Sequence, residues 1–173
     1  MDIATDMPPD AGDRRPRTDR PCSDETIPLL SARQLTGNPE TMAAATLSHD
    51  GGPDSLWVGN EIIRTYAGDG ARQALTDLRA LVGRCPTVVV SSGAGVGDRH
   101  RFAVTPGPRL GDDSVRVSCG ATSASGTLTC DSLLVRVGAA LVAVQEEGNK
   151  PGDGDYLTQV AEAAVRRYQA TGS

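Results

Sequence analysis

The chain has 173 residues, enough for one domain with a core of its own. A net charge of −5 disfavours nucleic acid and anionic membrane as main partners, because both recruit basic surfaces. Aromatic residues make up only 3%, which leaves the core to Val, Leu, Ile and Ala and removes the stacking platforms a base-binding protein needs.

Residues 1–21, MDIATDMPPDAGDRRPRTDRP, are rich in Pro, Asp and Arg and lack the apolar stretch of a signal peptide. They read as a disordered leader or linker, and residues 22–173 as a single domain. Met1 is read as a start that follows a missing export segment. No apolar run reaches bilayer-spanning length. Residues 27–47 carry two short helical signals, one capped by Ser31 and one opened by Asn38, Pro39 and Glu40. HDGGPDS is a loop.

SLWVGNEIIRTY is extended, with Ile62, Arg64 and Tyr66 on one face and Glu61, Ile63 and Thr65 on the other. Asp69 then caps GARQALTDLRALVGRC, where Ala71, Ala74, Leu75, Leu78, Leu81 and Val82 make one helical stripe. Cys85 continues that stripe, so its sulfur is expected to point inward; Gly83 and Pro86 mark the helix end. The period then changes to two. TVVVSS, RHRFAVTP, DSVRVSC, TLTCDSLLVRVG and AALVAVQEE are strands joined by hairpin-type loops. The closing DYLTQVAEAAVRRYQATG is a helix with Tyr156, Val160, Ala164 and Tyr168 aligned and Leu157 and Ala161 beside them. Arg166 and Arg167 sit near its C-terminus, where positive charge is favoured. Helices segregated from a strand meander predict the α+β class: an antiparallel sheet of about five to six strands with helices packed on one face.

The four cysteines, Cys22, Cys85, Cys119 and Cys130, form no CxxC pair, which argues against a zinc site or a thioredoxin-type motif. If the loop in VRVSCGATSASGTLTC turns at Ala124-Ser125, residues whose numbers sum to 249 face each other, and Cys119 and Cys130 do so. Opposed strand positions lie close to disulfide distance. That leaves Cys22 for Cys85. Two disulfides imply an oxidising compartment; four free thiols would instead mean the cytoplasm.

No motif of catalysis or cofactor binding is complete. Gly93, Gly95 and Gly97 in GAGVG give G-x-G-x-G, not the dinucleotide spacing, and a P-loop would continue with Lys, not Asp98. RHRFAV alternates like a strand, so no helix N-terminus follows to hold a phosphate, and the glycines read as a hairpin tip. His100 with Ser91, Ser92 and Asp98 falls in one loop without triad geometry, and His49 has less support. Glu146, Glu147, Asp153 and Asp155 lack EF-hand spacing, and Asp112 and Asp113 lie adjacent in a turn with nothing pairing them for acid-base work. Trp57 and Arg64 are residue types common at recognition surfaces, although core packing also accounts for them. With Tyr66 and His100 they are the candidate ligand-binding residues; no catalytic residue, metal ligand or cofactor is assigned.

SLWVGNEIIRTY, GARQALTDLRALVGRC, the cysteines of the sheet, LLVRVGAALVAVQEEG and the final AEAAVRRYQ helix together resemble the PknH-like extracellular sensor domain. That module occurs outside the membrane on actinobacterial Ser/Thr kinases and in related secreted lipoproteins. The resemblance covers about residues 28–170, and Cys85, Cys119 and Cys130 match by their place in the elements, Cys22 less closely. It implies a disulfide-bonded extracytoplasmic α+β domain with a cleft between helices and sheet, acting in ligand sensing and signal transduction and not in catalysis. The sequence departs from the pattern in having no kinase domain, membrane helix or lipobox; removal of an export segment would explain this.

The expected function is therefore non-catalytic sensing, secreted or lipid-anchored, with an unknown small molecule or envelope component as ligand and a protein partner allowed. Two alternatives stand. One is a small cofactor-free enzyme acting on a secondary metabolite, with His100 and either Arg64 or Arg101 as acid-base and anion groups. It requires those side chains to converge on one pocket. The other is a structural partner domain that regulates an envelope protein.

Overall fold

The computed structural model describes residues 3–4, 20–23, 37–47, 57–90, 98–123, 126–148 and 154–171. The period-two stretches become β3 (Trp57–Thr65), β4 (Thr87–Val90), β5 (Asp98–Pro106), β6 (Asp113–Ser123), β7 (Gly126–Val137) and β8 (Ala140–Gly148). Ahead of them lie β1 (Ile3–Ala4) and β2 (Thr41–Leu47), and the two helical stripes become α1 (Gly70–Arg84) and α2 (Gly154–Thr171). The strands form one antiparallel sheet of eight, in the order β1-β2-β3-β8-β7-β6-β5-β4. Strands β4 to β8 are a meander whose last member returns to pair with β3. α1 therefore carries the chain across one face, from the sheet's middle to its far edge.

The sheet is larger than the five or six strands expected. One added strand is β2, which the Ala-rich sequence had suggested was helical. Its seven residues pair with β3 from Thr41↔Thr65 to Leu47↔Gly59. Met42 and Ala44 pack on the core beneath α1. Tertiary pairing overrides helix propensity here, because a waiting strand edge offers a full ladder to a segment too short to hold a helix alone. The other addition is β1, two residues within the stretch read as a leader, paired with Ala44 and Ala45. The segment around Ser31 and the GAGVG loop lie outside the described residues. The strands flanking that loop do pair, Val90 with Asp98, and β5 rather than a helix follows it.

The helices do not share a face. α1 packs over Ile62, Val88, Phe102, Val115, Leu134, Leu141 and Ala143. α2 packs over Leu133, Val135, Val142 and Val144 on the other side. Successive strand residues point to opposite faces, so an apolar run without alternation must be covered on both. LLV at 133–135 and LVAV at 141–144 are such runs, and all seven residues are buried. The expectation of helices on one face is thus corrected to a sheet with α1 packed on one face and α2 on the other. α2 lies mainly over β7 and β8 and reaches β3 through Arg167, so among the described residues β4, β5 and the far part of β6 have no helix on that side.

α1 buries the six residues of the predicted stripe, from Ala71 to Val82. Each large member contributes roughly 1.5–3 kcal/mol when fully buried. Asp69 occupies the position before the helix but makes no capping hydrogen bond; its carboxylate pairs with Arg72 instead. Arg79 fastens the helix to the sheet through two bonds to Asp113, at 2.9 and 2.7 Å, which hold that carboxyl below the usual carboxylate range. α2 is tied to β3 by Arg167, which donates to the buried Glu61 at 2.5 Å.

Both expected disulfides are present. Cys119 and Cys130 are register partners with Cα atoms 4.9 Å apart, and Cys22 and Cys85 lie 5.6 Å apart. Cys85 is buried at the end of α1, its sulfur turned inward as the stripe required.

The β5–β6 turn closes on Gly111, whose φ is +59°. Asp112 donates its N–H to the Arg136 carbonyl at 2.8 Å, and a Cβ on Gly111 would press into that same carbonyl and into Val135. Gly111→Ala is expected to lower the unfolding free energy by about 2–4 kcal/mol, from left-handed strain and overpacking together. A urea titration checks this; a loss under about 0.5 kcal/mol would mean the turn relaxes freely.

Candidate functional site

EIIRTY sends Arg64 to the α1 side of the sheet, and Tyr66 follows immediately beyond the strand. Arg64 sits in register between Met42 of β2 and Leu141 of β8 and is 2% exposed. Tyr66 is 4% exposed, with its N–H donated to the Ala139 carbonyl at 2.9 Å. Gly70, the first residue of α1, meets the side chain so closely that a Cβ there would come 2.7 Å from the Tyr66 Cβ. A Cβ on Gly37 would lie 3.9 Å from the ring. The phenol is thus enclosed where β2, β3, the β7–β8 turn and the start of α1 meet.

Burial is the main influence on both groups. It lowers the Arg64 pKa, with Tyr66 opposing, and raises the Tyr66 pKa, with the nearby guanidinium opposing. A guanidinium keeps its proton in proteins, so Arg64 is a cation beside a phenol that burial keeps neutral. The Tyr66 hydroxyl makes no well-formed hydrogen bond among the described residues, although it is buried. An unsatisfied buried hydroxyl costs free energy unless something accepts its proton. The phenol O–H, held beside a buried cation, is a donor suited to an oxygen-bearing ligand in a region of low dielectric.

The other singled-out residues are not assembled around this pair. Trp57 opens β3 opposite Gly148, and its side chain lies outside the described residues. His100 is on β5, paired with Val88 and Ala121. It shares the α1 face with Arg64 but stands four strand positions away, about 19 Å across the sheet, and toward the opposite end of the strands as well. Arg101 alternates to the opposite face. The postulated set of His100 with Arg64 or Arg101 is therefore not brought into one pocket. Ser91, Ser92 and His49 lie outside the described residues. Glu146 is buried on the α2 side, while Glu147 alternates to the other face. Asp112 pairs with Arg136, and Asp113 with Arg79.

Sequence reasoning named Arg64 and Tyr66 but not what encloses them. The enclosing residues are glycines and a strand drawn from a segment with helical propensity, and no local signal marks them.

This architecture has a counterpart among solved structures. The fold resembles the extracellular domain of PknH from Mycobacterium tuberculosis. The likeness has a TM-score of 0.52 at 19% identity, and it covers 73% of this chain and 64% of the PknH domain. At that identity the PknH likeness establishes a common fold and nothing finer. The chain spans less than two thirds of the PknH domain's length. No family model matches the sequence, and no curated protein matches it.

Proposed function

We propose that this chain is an extracytoplasmic sensor domain that acts by binding a small ligand, not by catalysis. The observation that carries the reading is the enclosed Arg64–Tyr66 pair, a buried cation beside a phenol whose hydroxyl makes no well-formed hydrogen bond among the described residues. That hydroxyl, next to a positive charge, suits an anionic or carbonyl-rich small molecule, such as a metabolite or an envelope fragment. Two disulfides support an oxidising compartment, and the fold likeness to a domain described as extracellular supports the same placement. Attachment to the envelope through a lipid anchor belongs to this proposal as well.

The test is a thermal-shift screen of carboxylates, phosphates, sugar phosphates and cell-wall fragments. A ligand present at one hundred times its Kd adds about 2.7 kcal/mol, which raises Tm by roughly 5–10 °C for a domain of this size. Tyr66→Phe is expected to abolish that shift. Without ligand the variant is expected to match the parent within about 1 kcal/mol, because the hydroxyl removed is an unsatisfied one. If no ligand class in the screen raises Tm, the sensing reading is wrong.

A further inference from the structure

The open face of β4 and β5 carries a second feature, independent of the Arg64–Tyr66 site. β4 is the last strand of the sheet, so one of its edges has no neighbour among the described residues. Phe102 donates its N–H to the Pro86 carbonyl, which makes Pro86 and Phe102 a hydrogen-bonding pair. Such pairs alternate along an antiparallel ladder. Val88 and Val90 therefore bond inward to β5, and the N–H and C=O groups of Thr87 and Val89 point out to the free edge. The side chains of Thr87 and Val89 are exposed, Val89 at 51%.

Behind them, on the same face, stand Arg99 and Arg101, register partners of Val89 and Thr87. Both arginines are exposed. Neither has an ion pair among the described residues, whereas Arg72, Arg79, Arg116, Arg136, Arg166 and Arg167 each have one. Two cations without an ion pair among the described residues, at alternate positions beside the end strand, are an unusual local charge on a chain whose net charge is −5.

We propose that the β4 edge accepts an extended acidic segment of a partner protein as an added strand. Backbone groups of Thr87 and Val89 would complete a ladder with it. Its carboxylates, carried on alternate residues, would share the two-residue spacing of Arg99 and Arg101, about 7 Å. The added strand lies two strand spacings from β5, about 10 Å, and Thr87 and Val89 are small enough to let arginine and glutamate reach across. A second copy of this chain is a poor occupant: pairing two β4 edges would bring four arginines onto one face, and like charges on neighbouring strands repel.

The experiment uses the full chain and three labelled peptides, read by fluorescence anisotropy. One alternates Glu and Val, its twin alternates Lys and Val, and an isomer of the first has its glutamates consecutive. The alternating acidic peptide is expected to bind, the isomer at least tenfold more weakly, and the lysine twin not at all. Arg99→Glu with Arg101→Glu should weaken binding at least tenfold. Val89→Pro removes an outward N–H and no ladder bond, so it should abolish binding while leaving the melting curve and both arginines intact. Amide exchange at Thr87 and Val89 on the parent protein should slow when peptide is added, a readout that does not depend on any variant folding. Equal binding by the isomer, or unchanged exchange at Thr87 and Val89, overturns strand addition. So does a concentration-dependent dimer through β4 in the absence of peptide.

Discussion

Cys22→Ala is expected to lower the unfolding free energy by about 4 kcal/mol, seen as a fall in Tm of roughly 8–16 °C. The bridge to Cys85 spans 63 residues of sequence, and the chain-entropy cost of an open loop grows with its logarithm. The Cys119–Cys130 bridge spans only 11, and Cys119→Ala is expected to cost about 3 kcal/mol by the same treatment. Cys22 is the better position to test, because it lies at the margin of the core. Cys85 is 1% exposed, and changing it would add a packing loss. The bridge also has a local role: it fixes Cys22 at the end of α1, where Arg84 donates to the Arg20 carbonyl at 3.3 Å. Calorimetry of the two variants would rank the bridges. A loss at Cys22 well below that at Cys119 would show that the early segment is already held by other contacts.

Leu133→Ala and Leu134→Ala are expected to destabilise the protein by similar amounts, about 3 kcal/mol each within the usual range of 2–5. These residues are neighbours on β7 and are 1% and 2% exposed. Leu133 lies in the cluster under α2, Leu134 in the cluster under α1. On a sheet covered on one side only, one of the two would face solvent, and its truncation would cost a few tenths of a kcal/mol. Paired urea titrations decide the point. Two large losses require both helices, and a single large loss would mean that one of them does not pack as described. The double variant should approach the sum, because the two side chains sit on opposite sides of the backbone and share no cavity.

Most of the architecture was legible from periodicity. The α1 stripe from Ala71 to Val82 and the Cys119–Cys130 register could both be read from spacing, because each depends on residues near one another in sequence. Three features could not. β2 depends on a partner edge some twenty residues away that outweighs the helix propensity of its alanines. The second helical layer was encoded, in the unalternated LLV and LVAV runs, but only to a reading that asks why a strand lacks polar residues. The order of the strands around β3 depends on long-range pairing, which no local pattern records. At the site the split is similar. Arg64 and Tyr66 stand out by residue type and by sharing a face, whereas their enclosure by Gly37 and Gly70 and the distance to His100 follow from topology.

The pairing of β3 with β8 sets a condition on how the chain assembles. Residues 57–65 find their partner in residues 140–148, so the central ladder cannot form until nearly the whole meander exists. Loop closure over such a separation is slow compared with the hairpins between β4 and β8, which join immediate neighbours. A nascent chain is thus expected to acquire its hairpins first and to hold β3 paired to β2 on one edge and open on the other until β8 arrives. The last strand made is the keystone: before it is in place, the half carrying Arg64 and the half carrying Arg99 and Arg101 are not yet one sheet.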